Sequence, residues 1–229
     1  MAEKNLNDIK VQILEEFHDK EDLIFKMIII GDFGVGKSCL TTQAIKNKFD
    51  EMHNATVGFE FMNFNVKLDD TIIKLQIWDT SGQEVYHSLV TSLYKNVSLA
   101  MIVYAIDSKE SFVNINTWLK DLRLLSNPDV KIFLIGNKTD LEDDRIITTE
   151  RAKKFANENN FDYFNETSAK LGSNTKEVFI QAAKVLYLEY LKYKKRGDKY
   201  GPGNLNNNNN IPTKINKGKS SKRKNEGCC

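Results

Sequence analysis

Gly31-Asp32-Phe33-Gly34-Val35-Gly36-Lys37-Ser38 combines the residue types needed to cradle a polyphosphate. It follows the apolar run Ile24-Phe25-Lys26-Met27-Ile28-Ile29-Ile30, which reads as a buried strand. It precedes Cys39-Leu40-Thr41-Thr42-Gln43-Ala44-Ile45, which reads as the first turns of a helix. Gly34 and Gly36 can take backbone conformations closed to other residues, so that successive N–H groups from Gly34 to Cys39, Val35 included, converge on an anion. A helix N-terminus adds unpaired donors and the positive end of its dipole. Lys37 supplies a point charge for the outer phosphates, and the Ser38 hydroxyl is a hard oxygen ligand for Mg²⁺.

Three more stretches add chemistry. The apolar run Val130–Gly136 leads into Asn137-Lys138-Thr139-Asp140, where a carboxylate can accept two hydrogen bonds from the edge of a guanine base. Adenine would leave that carboxylate unpaired, and a site of this kind rejects the wrong partner by roughly 10⁴-fold. A second run leads into Glu166-Thr167-Ser168-Ala169-Lys170, which brings a backbone N–H toward the guanine carbonyl. Between these and the phosphate loop, Ile77-Trp78-Asp79 ends a strand in a carboxylate suited to hold Mg²⁺ through water. Gly82 can then approach a γ-phosphate, and Gln83 can orient an attacking water.

The elements that must position these residues alternate. Strands are expected over Ile24–Gly31, Phe59–Leu68, Lys74–Asp79, Leu99–Asp107, Val130–Gly136 and Phe161–Glu166. Helices are expected over Lys37–Asn47, Ser111–Ser126, Thr149–Asn159 and Asn174–Lys195, the last capped by Asn174. Asp69-Asp70 joins two strands as a tight hairpin; the other strands are separated by helices. The expected fold is α/β: a six-stranded, mostly parallel sheet with one antiparallel edge strand and helices on both faces, the P-loop NTPase arrangement. Residues 1–23 form a short N-terminal extension whose Ile9, Ile13, Leu14 and Phe17 are spaced for a small amphipathic helix. The domain occupies 24–196. Residues 197–229, with the run Asn206 to Asn210, read as a disordered tail.

Composition narrows the class. The 229 residues are 41% hydrophobic and 28% charged, as in a soluble globular domain, and hold no apolar run of membrane-spanning length. Met1-Ala2-Glu3-Lys4 lacks the apolar core of a signal peptide, and Ala2 is not the glycine of N-myristoylation. The cysteines, Cys39, Cys228 and Cys229, make no disulfide framework and fit a reducing cytosol. Cys39 reads as a small packing residue. In the tail, Lys199, Lys214, Lys217, Lys219, Lys222, Arg223 and Lys224 outweigh Asp198 and Glu226, so a basic tail follows a mildly acidic body. An anionic surface is its expected partner. Nucleic acid ranks lower, because no aromatic residue interleaves with the lysines from Lys214 to Lys224.

These motifs together resemble the Ras superfamily of small GTPases and, within it, the Rabs. The likeness runs from about Phe25 to Lys195 and returns at Gly227-Cys228-Cys229. Rab character is carried by Val57-Gly58-Phe59-Glu60-Phe61, by Lys74-Leu75-Gln76-Ile77-Trp78-Asp79-Thr80 and by the paired cysteines. The resemblance implies that Ser38, Thr56 and Asp79 hold Mg²⁺ and that Gln83 is catalytic. It implies that Phe49 packs on guanine, with Asn137, Lys138, Asp140, Ser168, Ala169 and Lys170 completing that pocket. Phe61, Trp78 and Leu93 would face effectors, although Leu93 stands where Rabs commonly have a tyrosine. Cys228 and Cys229 would carry geranylgeranyl groups that attach the protein to the cytoplasmic face of an intracellular membrane, with a carrier-bound pool in the cytosol.

The implied activity is hydrolysis of GTP to GDP and phosphate, at an intrinsic rate on the order of 10⁻³ s⁻¹ or below. The implied partners are an exchange factor, a GTPase-activating protein, a GDP dissociation inhibitor, a Rab escort protein and effectors that recognise the GTP form. Three further positions depart from the pattern. Phe33 replaces a small residue beside the γ-phosphate, where a phenyl ring could crowd Gln83 or a partner's arginine. Ser81 replaces an alanine, and Val85 an arginine. A GTP-binding module that scarcely hydrolyses, because of Phe33, is therefore the competing reading. A metabolic phosphotransferase would need an acceptor site for which no motif is present.

Overall fold

The computed structural model describes residues 6–14, 21–50, 56, 58–81 and 92–197. Gly82, Gln83, Val85, Phe17, Val57 and the tail with Cys228 and Cys229 lie outside the described residues. Seven strands form one sheet: β1 Val11–Leu14, β2 Leu23–Ile30, β3 Phe59–Leu68, β4 Thr71–Thr80, β5 Leu99–Ala105, β6 Lys131–Asn137 and β7 Tyr163–Glu166, in the order β1-β3-β4-β2-β5-β6-β7. Among the described residues the α-helices are α1 Lys37–Lys46, α2 Lys109–Leu125, α3 Thr149–Glu158 and α4 Thr175–Arg196. β4, β2, β5, β6 and β7 are mutually parallel, and β3 runs against them.

Strand alternation builds two cores. On β2, Met27 and Ile29 enter the layer under α1 and α4, with Leu40, Phe179 and Ala182. Ile28 and Ile30 enter the opposite layer under α2 and α3, with Phe112, Leu119 and Ala152. A strand apolar on both faces is what a central position in a parallel sheet demands. Each strand of this type ends, on the same side of the sheet, in a polar loop.

Two expectations are corrected. The described N-terminal residues do not form an amphipathic helix. Leu6–Asp8 is a single 3-10 turn, and Val11–Leu14 pairs antiparallel with Leu68–Asn65 as a seventh strand. The edge of β3 offers unpaired backbone groups, and β-branched Val11 and Ile13 suit a pleated surface better than a helix. The antiparallel strand is thus not the sheet's edge along its whole length. Asp69, in the left-handed region at φ 54, makes the β3–β4 turn, and it exchanges bonds with Lys10: Asp69 N–H to the Lys10 carbonyl and Lys10 N–H to Asp69 Oδ1. Asn174 occupies the N-terminal cap of α4, but its side chain does not cap it; Nδ2 donates instead to the Glu166 carbonyl at 2.9 Å.

Ile9 is 5% exposed and belongs to the α1/α4 core. We therefore expect Ile9→Ala to lower the unfolding free energy by roughly 2 kcal/mol, measured by urea denaturation of the full chain. An unchanged midpoint would mean that residues 6–14 contribute nothing to the domain.

Candidate functional site

The loop between β2 and α1 is shaped by contacts that leave no room for side chains at two points. A Cβ on Gly31 would lie 2.2 Å from the Val103 carbonyl oxygen of β5, and one on Gly36, at φ 91, would lie 2.5 Å from Asn137 Nδ2. Gly34 faces open space, so its φ of 78 alone asks for glycine there. No side chain caps the first turn of α1, whose N–H groups at Lys37, Ser38 and Cys39 are those a helix start presents to an anion. Lys37 is buried, and its ammonium donates to the carbonyls of Gly31 at 2.8 Å and Asp32 at 2.9 Å. Burial lowers its pKa to about 8, opposed by the negative charges of Asp79 and Asp32. Incoming phosphates would restore the solvation this ammonium has lost.

Three oxygens converge beside it. Ser38 Oγ lies 2.7 Å from Thr56 Oγ1 and donates to Asp79 Oδ2. They come from α1, from residue 56 and from the end of β4, where Asp79 is fully buried. Two hydroxyls and a carboxylate gathered from three segments fit a hard cation such as Mg²⁺. Thr80 Oγ1 donates to the Ile29 carbonyl at 2.8 Å and ties the end of β4 to β2.

Asn137, at the end of β6, is 1% exposed, and both ends of its carboxamide are engaged. Nδ2 donates to the Val35 carbonyl at 2.9 Å, while Oδ1 accepts from Thr167 Oγ1 at 3.1 Å and from the Ala169 N–H at 3.2 Å. Asn137 and the Ala169 N–H, both expected at the guanine pocket, are here bonded to each other, and Asn137 also to the phosphate loop. In this structure both serve a brace between the phosphate loop and the loop after β7. Asp140 remains partly accessible, and Ser168 Oγ donates to its Oδ1 at 2.5 Å while accepting from the Leu171 N–H at 3.0 Å. One carboxylate oxygen is thereby fixed. Lys138 is in the left-handed region at φ 72, and its ammonium lies 3.8 Å from Asp107. Lys170 and Phe49 are exposed at the rim.

Some residues behave otherwise than the sequence suggests. Leu93 is 6% exposed within the α2/α3 core, so it is a packing residue and not part of an effector-facing surface. Phe61 and Phe59 are exposed and pack against Trp78, Phe61 edge-on and Phe59 tilted, each with a ring-centroid distance of 5.2 Å. Phe33 is 60% exposed. Cys39 packs against the α1/α4 core, and burial raises its thiol pKa, in keeping with a packing role.

The sequence reading passed over two groups. Arg145 makes a bidentate pair with Glu166, at 2.7 and 3.1 Å, and a second with Glu142, linking the loops after β6 and β7. These carboxylates raise its already high pKa, and Thr149 Oγ1 also donates to Glu166. Asp32 meets Asn114 and Trp118 of α2. Neither cross-link is a local pattern, because Glu166 stands 21 residues from Arg145, and Asn114 and Trp118 more than 80 from Asp32.

Compared with models of known families, residues 26–188 match that of the Ras family. Replacing Asn137 by Ala should strip the Val35 carbonyl and the Ala169 N–H of partners in a dry interior. We expect a loss of roughly 2–4 kcal/mol of stability, read by denaturation without added nucleotide. Wild-type stability there would remove the brace.

Proposed function

The chain belongs to the Ras family of small GTPases, and we propose that it acts within that family as a Rab-type GTP/GDP switch in vesicle-mediated membrane traffic. The observation that carries the nucleotide chemistry is the convergence of Ser38, Thr56 and Asp79 beside Lys37. Members of the family bind guanine nucleotides with Mg²⁺ and hydrolyse GTP. When bound at the three oxygens, Mg²⁺ would neutralise charge on the β- and γ-phosphates. Lys37 binds the same phosphates through its ammonium, and the first N–H groups of α1 hold them in place. Gln83 orients the attacking water, and Gly82 with Thr56 responds to whether a γ-phosphate is present. Asp140, with one oxygen set by Ser168, reads the guanine edge, while Phe49 covers a face of the ring.

The Rab reading is supported by the motifs around Phe59–Phe61 and Lys74–Thr80, and by the exposed aromatic pair Phe59 and Phe61 on Trp78. In this reading effectors bind that surface in the GTP state, and an exchange factor, an activating protein, a GDP dissociation inhibitor and an escort protein serve the cycle. Cys228 and Cys229 carry lipid beside the basic Lys222-Arg223-Lys224, placing the protein on the cytoplasmic face of an intracellular membrane. Among the described residues no helix is long and apolar enough to cross a membrane.

Phe33 keeps a second reading in view, a binding module with little hydrolysis. Its 60% exposure favours the active switch, since the ring need not occupy the reaction site. Single-turnover hydrolysis of bound GTP should be measurable for the wild type and unchanged in Phe33→Ser. No turnover in the wild type, restored by the serine, would favour the binding module.

Two further outcomes are expected. GTP should outcompete ATP on the purified protein, and Asp140→Asn should weaken GTP binding roughly a hundredfold by removing a charge-assisted pair; equal affinities for the two nucleotides would sink the guanine assignment. A tagged chain should fractionate with membranes, and the double change Cys228→Ser, Cys229→Ser should move it to the soluble fraction. Membrane retention by that variant would overturn the anchor.

A further inference from the structure

Asp32 stands one residue after Gly31 in the phosphate loop, and α2 meets it from the far side of the chain. Asn114 Nδ2 donates to Asp32 Oδ2 at 2.7 Å, and Trp118 Nε1 donates to Asp32 Oδ1 at 2.7 Å. The two donors are four residues apart and so project from one face of α2. Both carboxylate oxygens are engaged at lengths typical of charge-assisted bonds. The same residue's main chain does something else: the Asp32 carbonyl accepts from Lys37 Nζ at 2.9 Å, next to the Gly31 carbonyl at 2.8 Å. One peptide unit therefore connects the face of α2 to the ammonium at the start of α1.

We infer that Asn114 and Trp118 are positioning residues for the phosphate loop, holding Asp32 by its carboxylate so that its carbonyl keeps Lys37 where it meets the nucleotide. This rests on the switch reading above. The two donors touch no nucleotide atom; they act through Asp32. Trp118 packs against the α2/α3 core, so the loop is tied to a rigid layer and not only to its own flanks. Gly31 presses on β5 from the other side, close to the Val103 carbonyl. The loop is thus clamped between β5 and α2, and loosening either wall should show first in how long a nucleotide stays.

The test is the dissociation rate of a fluorescent GDP analogue from the full chain, chased with excess GDP in Mg²⁺, alongside thermal unfolding of the same samples. Asn114→Asp sets two carboxylates against each other and should speed release about tenfold or more. The double substitution D32N/N114D reverses the donor and acceptor of that bond while leaving an amide oxygen for Trp118, and should recover most of the wild-type retention. Trp118→Phe, which keeps the ring and deletes the donor, should speed release as well. Release at the wild-type rate in Asn114→Asp would overturn the clamp. So would a fast release that D32N/N114D does not repair, because the effect would then not run through the Asn114–Asp32 bond; fast release at an unchanged unfolding temperature separates positioning from loss of fold. A wild-type chain that fails to hold GDP at all would overturn the switch reading along with it.

Discussion

One buried carboxamide joins the two halves of this site. Asn137 donates into the phosphate loop at Val35 and accepts from Thr167 and Ala169, so the loops after β2, β6 and β7 share a single planar group. In a dry interior such bonds are stronger than in water, and their loss leaves polar groups with no substitute. The constraint propagates outward. Gly36 must lack a Cβ because Asn137 Nδ2 would lie 2.5 Å from it. Gly136, one residue earlier on β6, is closed in by the Tyr104 ring and hydroxyl. The Arg145–Glu166 pair repeats the link between the β6 and β7 loops nearer the surface.

Why the site lies where it does follows from the strand order. β2 is flanked by β4 on one side and β5 on the other, so the chain leaves β2 toward one edge and returns after β4 to build toward the opposite edge. α1 and α2 then cover opposite faces, and their starts diverge at the carboxyl end of β2. That divergence is the crevice in which doubly wound sheets bind ligands. Here it receives Lys37 and Ser38 from α1, Asp79 from β4 and, through Asp32, the side chains of α2.

Much of this architecture is legible in the sequence alone, for a physical reason. The phosphate loop, the Asn137–Asp140 stretch and the Asp79 strand end are local patterns, each defined within a few residues by backbone geometry and chemistry. The two cores were equally legible, because strands and helices carry their periods in sequence. What escaped was set by partners distant along the chain. β1 exists because β3 presents an edge to it, and the alternation of Val11 and Ile13 is too short to set a strand apart from a helical turn without that partner. Leu93 looked like a surface position by analogy and is enclosed beside Tyr94 and Ile30. Asn174 has the right type and place for a cap, but the nearby Glu166 carbonyl takes its amide. The Asp32 carboxylate gave no local hint of its partners on α2.

The same alternation that builds the cores gives the proposed switch a short path to its surface. Along β4, Trp78 and Asp79 are neighbours whose side chains leave opposite faces of the strand. Asp79 points to the oxygens of Ser38, whereas Trp78 supports the exposed Phe59 and Phe61. The register pairs Phe61 with Trp78 and Glu60 with Asp79, so a displacement of Asp79 is felt by the aromatic group one residue away on either strand. Thr56, bonded to Ser38, stands three residues before Phe59 on the chain that becomes β3. Lys26 lies over the Trp78 ring at 5.4 Å, with burial lowering its pKa to about 8, and the buried indole N–H has no acceptor among the described residues. In the proposed switch, the exposed aromatic pair rests on the neighbour of Asp79 and is joined through β3 to Thr56, which places it to report the state of the nucleotide to a partner.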